Sequence, residues 1–448
     1  MMNTPIYDFV RKYASSDSLR MHMPGHKGID MLGIERFDIT EIEGADTLYS
    51  ANGIIEQSRK NASQLFGTER TLYSTEGSSL CIRAMLYLVS RYAKSIGKRS
   101  YILAARNAHK SFMYAAGVLD IDVDWLYPTQ STSLLSCNID ARTLDERLSV
   151  MADTPVAVYI TSPDYLGNVA DVSAIAKVCR KYGVLLMVDN AHGAYLKFLN
   201  DDRHPISLGA DICCDSAHKT LPALTGAAYL HVSHSAPRFF GESAASAMSV
   251  FASTSPSYLI LQSLDVLNKY LAEGYPKKLS KFIVKFEKLK SELIERGFSF
   301  VGDEPMKLCI MPKSYGYTGT ALAQLLIDKG IVCEFSDKDY LVMMPTPECD
   351  DVELERIKNA LFSLERREAI SELPPVPAVA RRILPIGAAM LSPSVELDVD
   401  ECDGRVLADA HISCPPAIPI IVCGERIDSA AIECFKYYGI ERCRVVKE

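Results

Sequence analysis

The segment VLLMVDNAHGAY (184–195), followed by ADICCDSAHKTLPALTG (210–226), carries the reading of the fold. Residues 184–188 are uninterrupted large apolar side chains, closed by Asp189 and a stretch of small and turn-forming residues. A short apolar run of this kind is a strand buried on both faces, as in a parallel sheet covered by helices. Asp189 then stands at the C-terminal end of its strand, the edge where open parallel sheets bind ligands. A second apolar run, DICC (211–214), leads to Lys219 through Ser216, Ala217 and His218.

The same grammar extends in both directions. YILAA (101–105), VAVYI (156–160) and AAYLHV (227–232) read as further strands, and SAIAKVCRKYG (173–183) as a crossover helix. Strands alternating with helices predict an α/β fold with a mostly parallel sheet. Helices are expected at 53–66, stopped by Gly67, and at 78–96, with a long helical region over 256–296. Residues 307–312, 331–335 and 340–345 as strands, with helices at 321–330 and 351–367, predict a smaller α+β domain. ELPPVPAV (372–379) reads as a linker. The expected organisation is an irregular arm over 1–45, a large domain over 46–270, a small α+β domain over 271–370 and a C-terminal region over 371–448.

Bulk properties narrow the function. The 448 residues are 48% hydrophobic and 23% charged, ordinary for a globular protein. A net charge of -8 argues against nucleic acid or an anionic membrane as main partner. Charges interrupt MMNTPIYDFVRKYASSDSLR (1–20) where a signal peptide needs an apolar core, and no run is long enough to span a bilayer. Thirteen scattered cysteines with no C-x-x-C suit reduced thiols, hence a cytoplasmic protein, rather than a disulfide framework or zinc site.

The chemistry suggested by Asp189 and Lys219 is that of pyridoxal phosphate (PLP). A lysine that attacks a carbonyl must be sheltered from water, and a buried carboxylate keeps the cofactor's pyridine nitrogen protonated. TEGSSLCIRAM (75–85) places Ser78 and Ser79 at a helix start, where amides and hydroxyls cradle phosphate. RNAHKS (106–111) offers His109 beyond a strand as a ring to stack on a planar cofactor. On these residues alone, a strand-end cap at Asp189 and a surface lysine at 219 are an equally open reading.

MHMPGHKG (21–28) poses a separate question. His22 and His26 have helical ligand spacing, but Pro24-Gly25 opposes a helix and no third ligand stands nearby, so no metal is expected. Lys27 lies in an accessible loop, a poor setting for a nucleophile. The stretch is expected to border the active-site entrance or a subunit interface.

Taken in order, MHMPGHKG, FDITEIEGADTL, LFGTERTLYSTEGSS, RNAHKS, VDNAHGAY, DSAHKTLPALTG and STSPSYLILQSLD resemble the Orn/Lys/Arg decarboxylase family, strongly over residues 4–270. A weaker likeness returns at ECDGRVLADAHISCPPAIPIIVCGERI (401–427), and the chain resembles the shorter biosynthetic-type members, without an N-terminal wing domain. The resemblance implies the aspartate-aminotransferase-like architecture, PLP fold type I, with a seven-stranded sheet. It implies Lys219 as Schiff-base lysine, Asp189 as pyridinium partner, His109 stacking on the ring and Ala191 packing its other face. Ser78, Ser79, Ser216 and His218 would hold the phosphate. Thr254 and Ser255 would reach a neighbouring subunit's phosphate, making a homodimer with shared sites.

The implied reaction is decarboxylation of arginine, lysine or ornithine to the amine, in polyamine metabolism. Asp46 and Asp164 are candidates for the carboxylate that meets the substrate's distal cation, and His22 for a substrate contact. Another fold-type I reaction, transamination or elimination, and a non-catalytic PLP-fold protein are the alternatives. The sequence departs from the family pattern at Asn190 (commonly Glu), Tyr195 (commonly His), Gly226 (commonly Gln) and Asp164 (commonly a hydroxyl or other polar residue).

Overall fold

The computed structural model describes residues 2–128, 135–376, 378–409, 413–414 and 418–447. The expected linker and the C-terminal family-like stretch therefore fall partly outside the described residues, at 377, 410–412 and 415–417.

Seven strands form the main sheet: β1 (Arg70–Ser74), β2 (Tyr101–Ala105), β3 (Asp122–Leu126), β4 (Ala157–Thr161), β5 (Leu185–Asp189), β6 (Ile212–Asp215) and β7 (Ala228–Val232), in the order β1-β7-β6-β5-β4-β2-β3. β2 pairs with β3, and β5 with β6, in parallel. β7 runs antiparallel to both β6 and β1. The apolar runs at 101–105, 156–160, 184–188, 211–214 and 227–232 are thus all strands of one α/β sheet. β2, β6 and β7 are buried along their whole length, as a sheet covered on both faces requires. β1 and β3 carry no comparable apolar run and are additions to the expected set.

The chain groups into two compact units. The first comprises residues 1–99, 156–158 and 172–278; the second comprises 100–155, 159–171 and 279–448. In the first, the helix Gly77–Ser95 lies along β1, β6 and β7 and packs on the helix Arg238–Ser249. The arm is not irregular throughout. Pro5–Ala14 is a helix with Ile6 and Val10 buried, started by a proline whose fixed φ suits the first helical turn. Its N-terminus is pinned by Asp265, which accepts the Ile6 and Tyr7 amides at 2.9 Å each.

In the second unit, β8 (Leu308–Ile310), β9 (Phe335–Ser336) and β10 (Leu341–Met343) form an antiparallel sheet in the order β8-β10-β9. The expected strand at 331–335 is reduced to its last residue, since 331–334 lack ladder pairing. The expected continuous helix over 256–296 is two helices, Tyr258–Ala272 and Tyr275–Arg296, separated at Gly274, where φ is +108°. The helix Lys110–Val118 packs on the helix Ile386–Leu391, and a Cβ on Gly387 would stand 2.4 Å from the Gly117 carbonyl oxygen. Among the described residues, no helix is long and apolar enough to cross a membrane.

Candidate active site

The ends of β5 and β6 deliver the central groups. Asp189 closes β5, is 2% exposed, and accepts the Ala191 amide at 3.2 Å and the Cys214 thiol at 3.6 Å. Beyond the end of β6, Ser216 caps a one-turn helix, Ala217–Thr220, which carries Lys219 half-buried. Lys219 Nζ lies 3.1 Å from His192 Nε2. His192, three residues past Asp189 and 5% exposed, is a functional candidate that strand-end reasoning passed over. The A-H-G turn after an apolar strand was the signal for it.

The phosphate candidates converge within the first unit. Ser216 Oγ donates to Ser78 Oγ at 2.8 Å. The helix that starts at Gly77 has no side-chain cap, although Gly77 N–H itself reaches the Gly226 carbonyl at 2.8 Å. An uncapped helix start beside two converging hydroxyls, behind a buried carboxylate, fits a phosphorylated pyridine ring. Ser79 follows Ser78 in the same first turn. His218 donates through Nδ1 to the Ala227 carbonyl, 2.9 Å away. Burial lowers its pKa, the Lys219 charge adds to that, and the Ala227 bond opposes it. Ala191, 7% exposed, presents only a methyl beside Asp189.

Thr254 and Ser255 sit in an exposed loop. That loop is moored by the Ser253 amide, which donates to Glu76 at 2.8 Å, the residue just before the Gly77 helix. His109, in the second unit, caps the helix Lys110–Val118, its Nδ1 accepting the Ser111 amide at 3.2 Å. That bond leaves the proton on Nε2.

The three substrate candidates have other partners. Asp46 accepts five backbone amides, those of Thr47, Asn52, Gly53, Ile55 and Glu56, over 2.8–3.4 Å, and so caps the helix Ile54–Phe66. Burial alone would raise its pKa, but the donated amides outweigh burial and lower it. Asp164, 3% exposed, closes its own loop by accepting the Asn168 amide at 2.9 Å and the Asn168 side chain at 2.8 Å. Burial raises its pKa against those bonds and the Lys307 charge. The hydroxyl expected at that position is thus replaced by a turn-forming acceptor. His22 bonds Tyr13 Oη at 2.5 Å and the Met23 carbonyl, while Lys27 donates to the His22 carbonyl at 2.5 Å. MHMPGHKG is a loop fastened to itself, to Tyr13 and, through His26, to Asp38 at 3.3 Å.

Two of the sequence departures have local causes. Gly226 adopts φ +95°, and a Cβ there would stand 2.9 Å from the Thr75 carbonyl, so no side chain fits the close approach that serves the Gly77 helix. Asn190, fully buried, donates its amide to Asp215 Oδ1 at 2.7 Å. Asp215 also accepts His204 and His231 through Oδ2, at 3.1 and 3.2 Å. Among the described residues this His-Asp-His cluster is the one grouping close enough to ligate a metal, yet direct hydrogen bonds already account for its spacing. Tyr195 is fully buried, and nothing in the structure explains why tyrosine stands there.

Comparison with known proteins agrees with this geometry. The family model described as Orn/Lys/Arg decarboxylase, major domain, matches residues 4–301. A Bacillus subtilis (strain 168) arginine decarboxylase is 30% identical over 467 residues, covering 95% of this chain and 91% of that one. An uncharacterized protein of the same organism, YaaO, is 29% identical over 465 residues, covering 96% and 93%. In fold, the chain is similar to the crystal structure of a Francisella novicida lysine decarboxylase, with TM-score 0.82 and 17% identity, covering 100% of this chain and 81% of that one. The seven-stranded α/β architecture is that of the fold-type I PLP enzymes. The extent of the family match, together with the near full-length likeness to an arginine decarboxylase, means that this chain belongs to the Orn/Lys/Arg decarboxylases, a family of PLP-dependent amino-acid decarboxylases.

Proposed function

We propose that the chain removes the α-carboxylate of a basic amino acid, arginine before lysine or ornithine, using PLP held by Lys219. The observation that carries this is the half-buried Lys219 amine, 3.1 Å from His192 and one strand over from the buried Asp189. Preference for arginine draws on the 30% identity to the Bacillus subtilis arginine decarboxylase.

PLP, when bound, supplies an electron-withdrawing pyridinium that receives the electrons of the Cα–carboxylate bond as CO₂ leaves. The chain's own residues supply orientation and electrostatics. Asp189 would accept the pyridine N–H and keep it protonated. Ser78, Ser79 and Ser216, with the start of the Gly77 helix, would hold the phosphate, and His218 would join them through Nε2 when that nitrogen is protonated. Ala191 would pack against one face of the ring. His192 Nε2, 3.1 Å from Lys219 Nζ, would take its proton and make the amine nucleophilic.

A homodimer completes the site in this reading. Leu19, Met21, Met31 and Leu32 in the arm are each more than 70% exposed, a concentration of apolar surface that an isolated chain leaves in water. A second copy covers it and presents its Thr254 and Ser255 to the neighbouring phosphate. The setting is a cytoplasmic step of polyamine formation. Assaying the purified protein with arginine, lysine and ornithine in parallel tests the proposal. CO₂ and the matching amine are expected, fastest from arginine; a keto acid in place of CO₂ refutes it.

A further inference from the structure

Two strand ends that carry the site are joined behind it by a buried acid. Asp215 is the last residue of β6, and Ser216 and the Lys219 helix follow at once. Its side chain is fully buried. Oδ1 takes the amide of Asn190, which follows Asp189 at the end of β5. Oδ2 takes His204 and His231.

The tautomers follow from the outer partners. His204 Nδ1 receives the Ile206 amide at 3.4 Å, so its proton is on Nε2 and is donated to Asp215. His231 Nδ1 pairs with the Thr71 hydroxyl at 2.9 Å, and Thr71 in turn with Thr68 at 2.8 Å, which lets His231 donate through Nε2 as well. Burial alone would raise the Asp215 carboxyl, but the two imidazoles hold it well below the usual carboxylate range. Burial keeps His231 neutral. The result is one buried anion with three donors, a network that fixes geometry.

This network has a consequence for position 190. An acidic residue there would set a second carboxylate 2.7 Å from Asp215 Oδ1, where like charges repel and one must take up a proton. An amide is the side chain of matching size that donates. The Asn190 Oδ1 is buried without a partner, so the side chain is held by the Asp215 bond alone.

We propose that Asp215 is a positioning residue: by holding Asn190 it fixes the end of β5, and with it the Asp189 carboxylate, relative to the Lys219 helix. This rests on the reading of Asp189 and Lys219 as PLP ligands. Asn190 and Asp215 are therefore a matched pair, and exchanging them as N190D with D215N keeps every hydrogen bond. In the exchanged pair the amide, now at position 215, donates to the carboxylate at position 190 and accepts both imidazoles through its oxygen.

The test titrates PLP into the full-length chain freed of cofactor, reading the cofactor's absorbance, with a thermal melt of each variant alongside. N190D is expected to bind PLP about tenfold or more weakly, and the N190D/D215N exchange to return within about threefold of the parent. Should N190D not fold, N190A, which removes the donor and leaves Asp215 with its imidazoles, carries the test with a weakening of several-fold. A parent chain that binds no PLP overturns the reading of the site and this proposal with it. Normal binding by N190D or N190A, or an exchange no better than N190D, overturns the positioning role and leaves the cofactor site standing.

Discussion

Asp46 distinguishes a structural carboxylate from one that reads the substrate, and its replacement by alanine or asparagine gives opposite results in the two cases. Its oxygens collect five amides at the start of the helix Ile54–Phe66, and its own backbone sits at φ +69°. Asp46→Ala loses the cap, about 1 kcal/mol, and places alanine in the left-handed region at about 1–2 kcal/mol more. Asp46→Asn tolerates that φ but offers one acceptor oxygen where two are used, setting its NH₂ against backbone N–H donors, so it loses about 1–2 kcal/mol. With roughly 2.1 cal/mol/K of unfolding entropy per residue, the 448-residue chain melts about 2–3 °C lower for Ala and about 1–2 °C lower for Asn. The melt is paired with KM for arginine, which stays within about twofold in both. Because the folded pKa is lowered, this stabilisation is present above the unfolded value near 3.9 and disappears as pH falls through the folded value. A tenfold or greater rise in KM for both variants with unchanged melting, the loss expected of a charged hydrogen bond to substrate, refutes the capping role.

Gly226→Ala puts a Cβ 2.9 Å from the Thr75 carbonyl at a residue with φ +95°, whose own carbonyl accepts the Gly77 amide at the helix start. It should cost about 1–3 kcal/mol in urea unfolding and weaken PLP retention; unchanged values for both contradict the close approach. Asp265 provides a pH signature. Burial raises its carboxyl to about 6 against the Ser58, Tyr7 and Ile6 bonds. The folded state thus binds more protons than the unfolded between about 4 and 6, so stability is fully present below about 3.9 and is lost as pH rises through about 6. At about 1.4 kcal/mol per pH unit the loss approaches 2–3 kcal/mol, and Asp265→Asn should flatten that part of the pH–stability curve in chemical denaturation. A variant with the parent's slope excludes Asp265 as its source.

What the sequence made legible was the part written in apolar runs. Residues 184–188 and 211–214 read as buried segments, and the polar residues after them, Asp189 and Lys219, stand at and just beyond the C-terminal ends of β5 and β6 for that reason. β1, reading RTLYS, stayed hidden because its strand character comes from pairing with β7, not from its own pattern. The His204–Asp215–His231 cluster stayed hidden because sheet register and a loop, not spacing, bring its members together. Asp46 looked available because its helix begins several residues later, and only the folded turn returns those amides to it. The helix Pro5–Ala14 had the right apolar spacing in Ile6 and Val10, but the charged residues around them masked it.

Lys219 as the carrier of the cofactor is the central claim. The most direct measurement is borohydride reduction of the PLP-loaded protein, followed by peptide mass mapping of the parent and of Lys219→Ala. A reduced pyridoxyl adduct is expected on the peptide containing Lys219, with the adduct and decarboxylation both lost in the variant. An adduct on a different lysine, or a Lys219→Ala protein that still fixes PLP and releases CO₂, contradicts it.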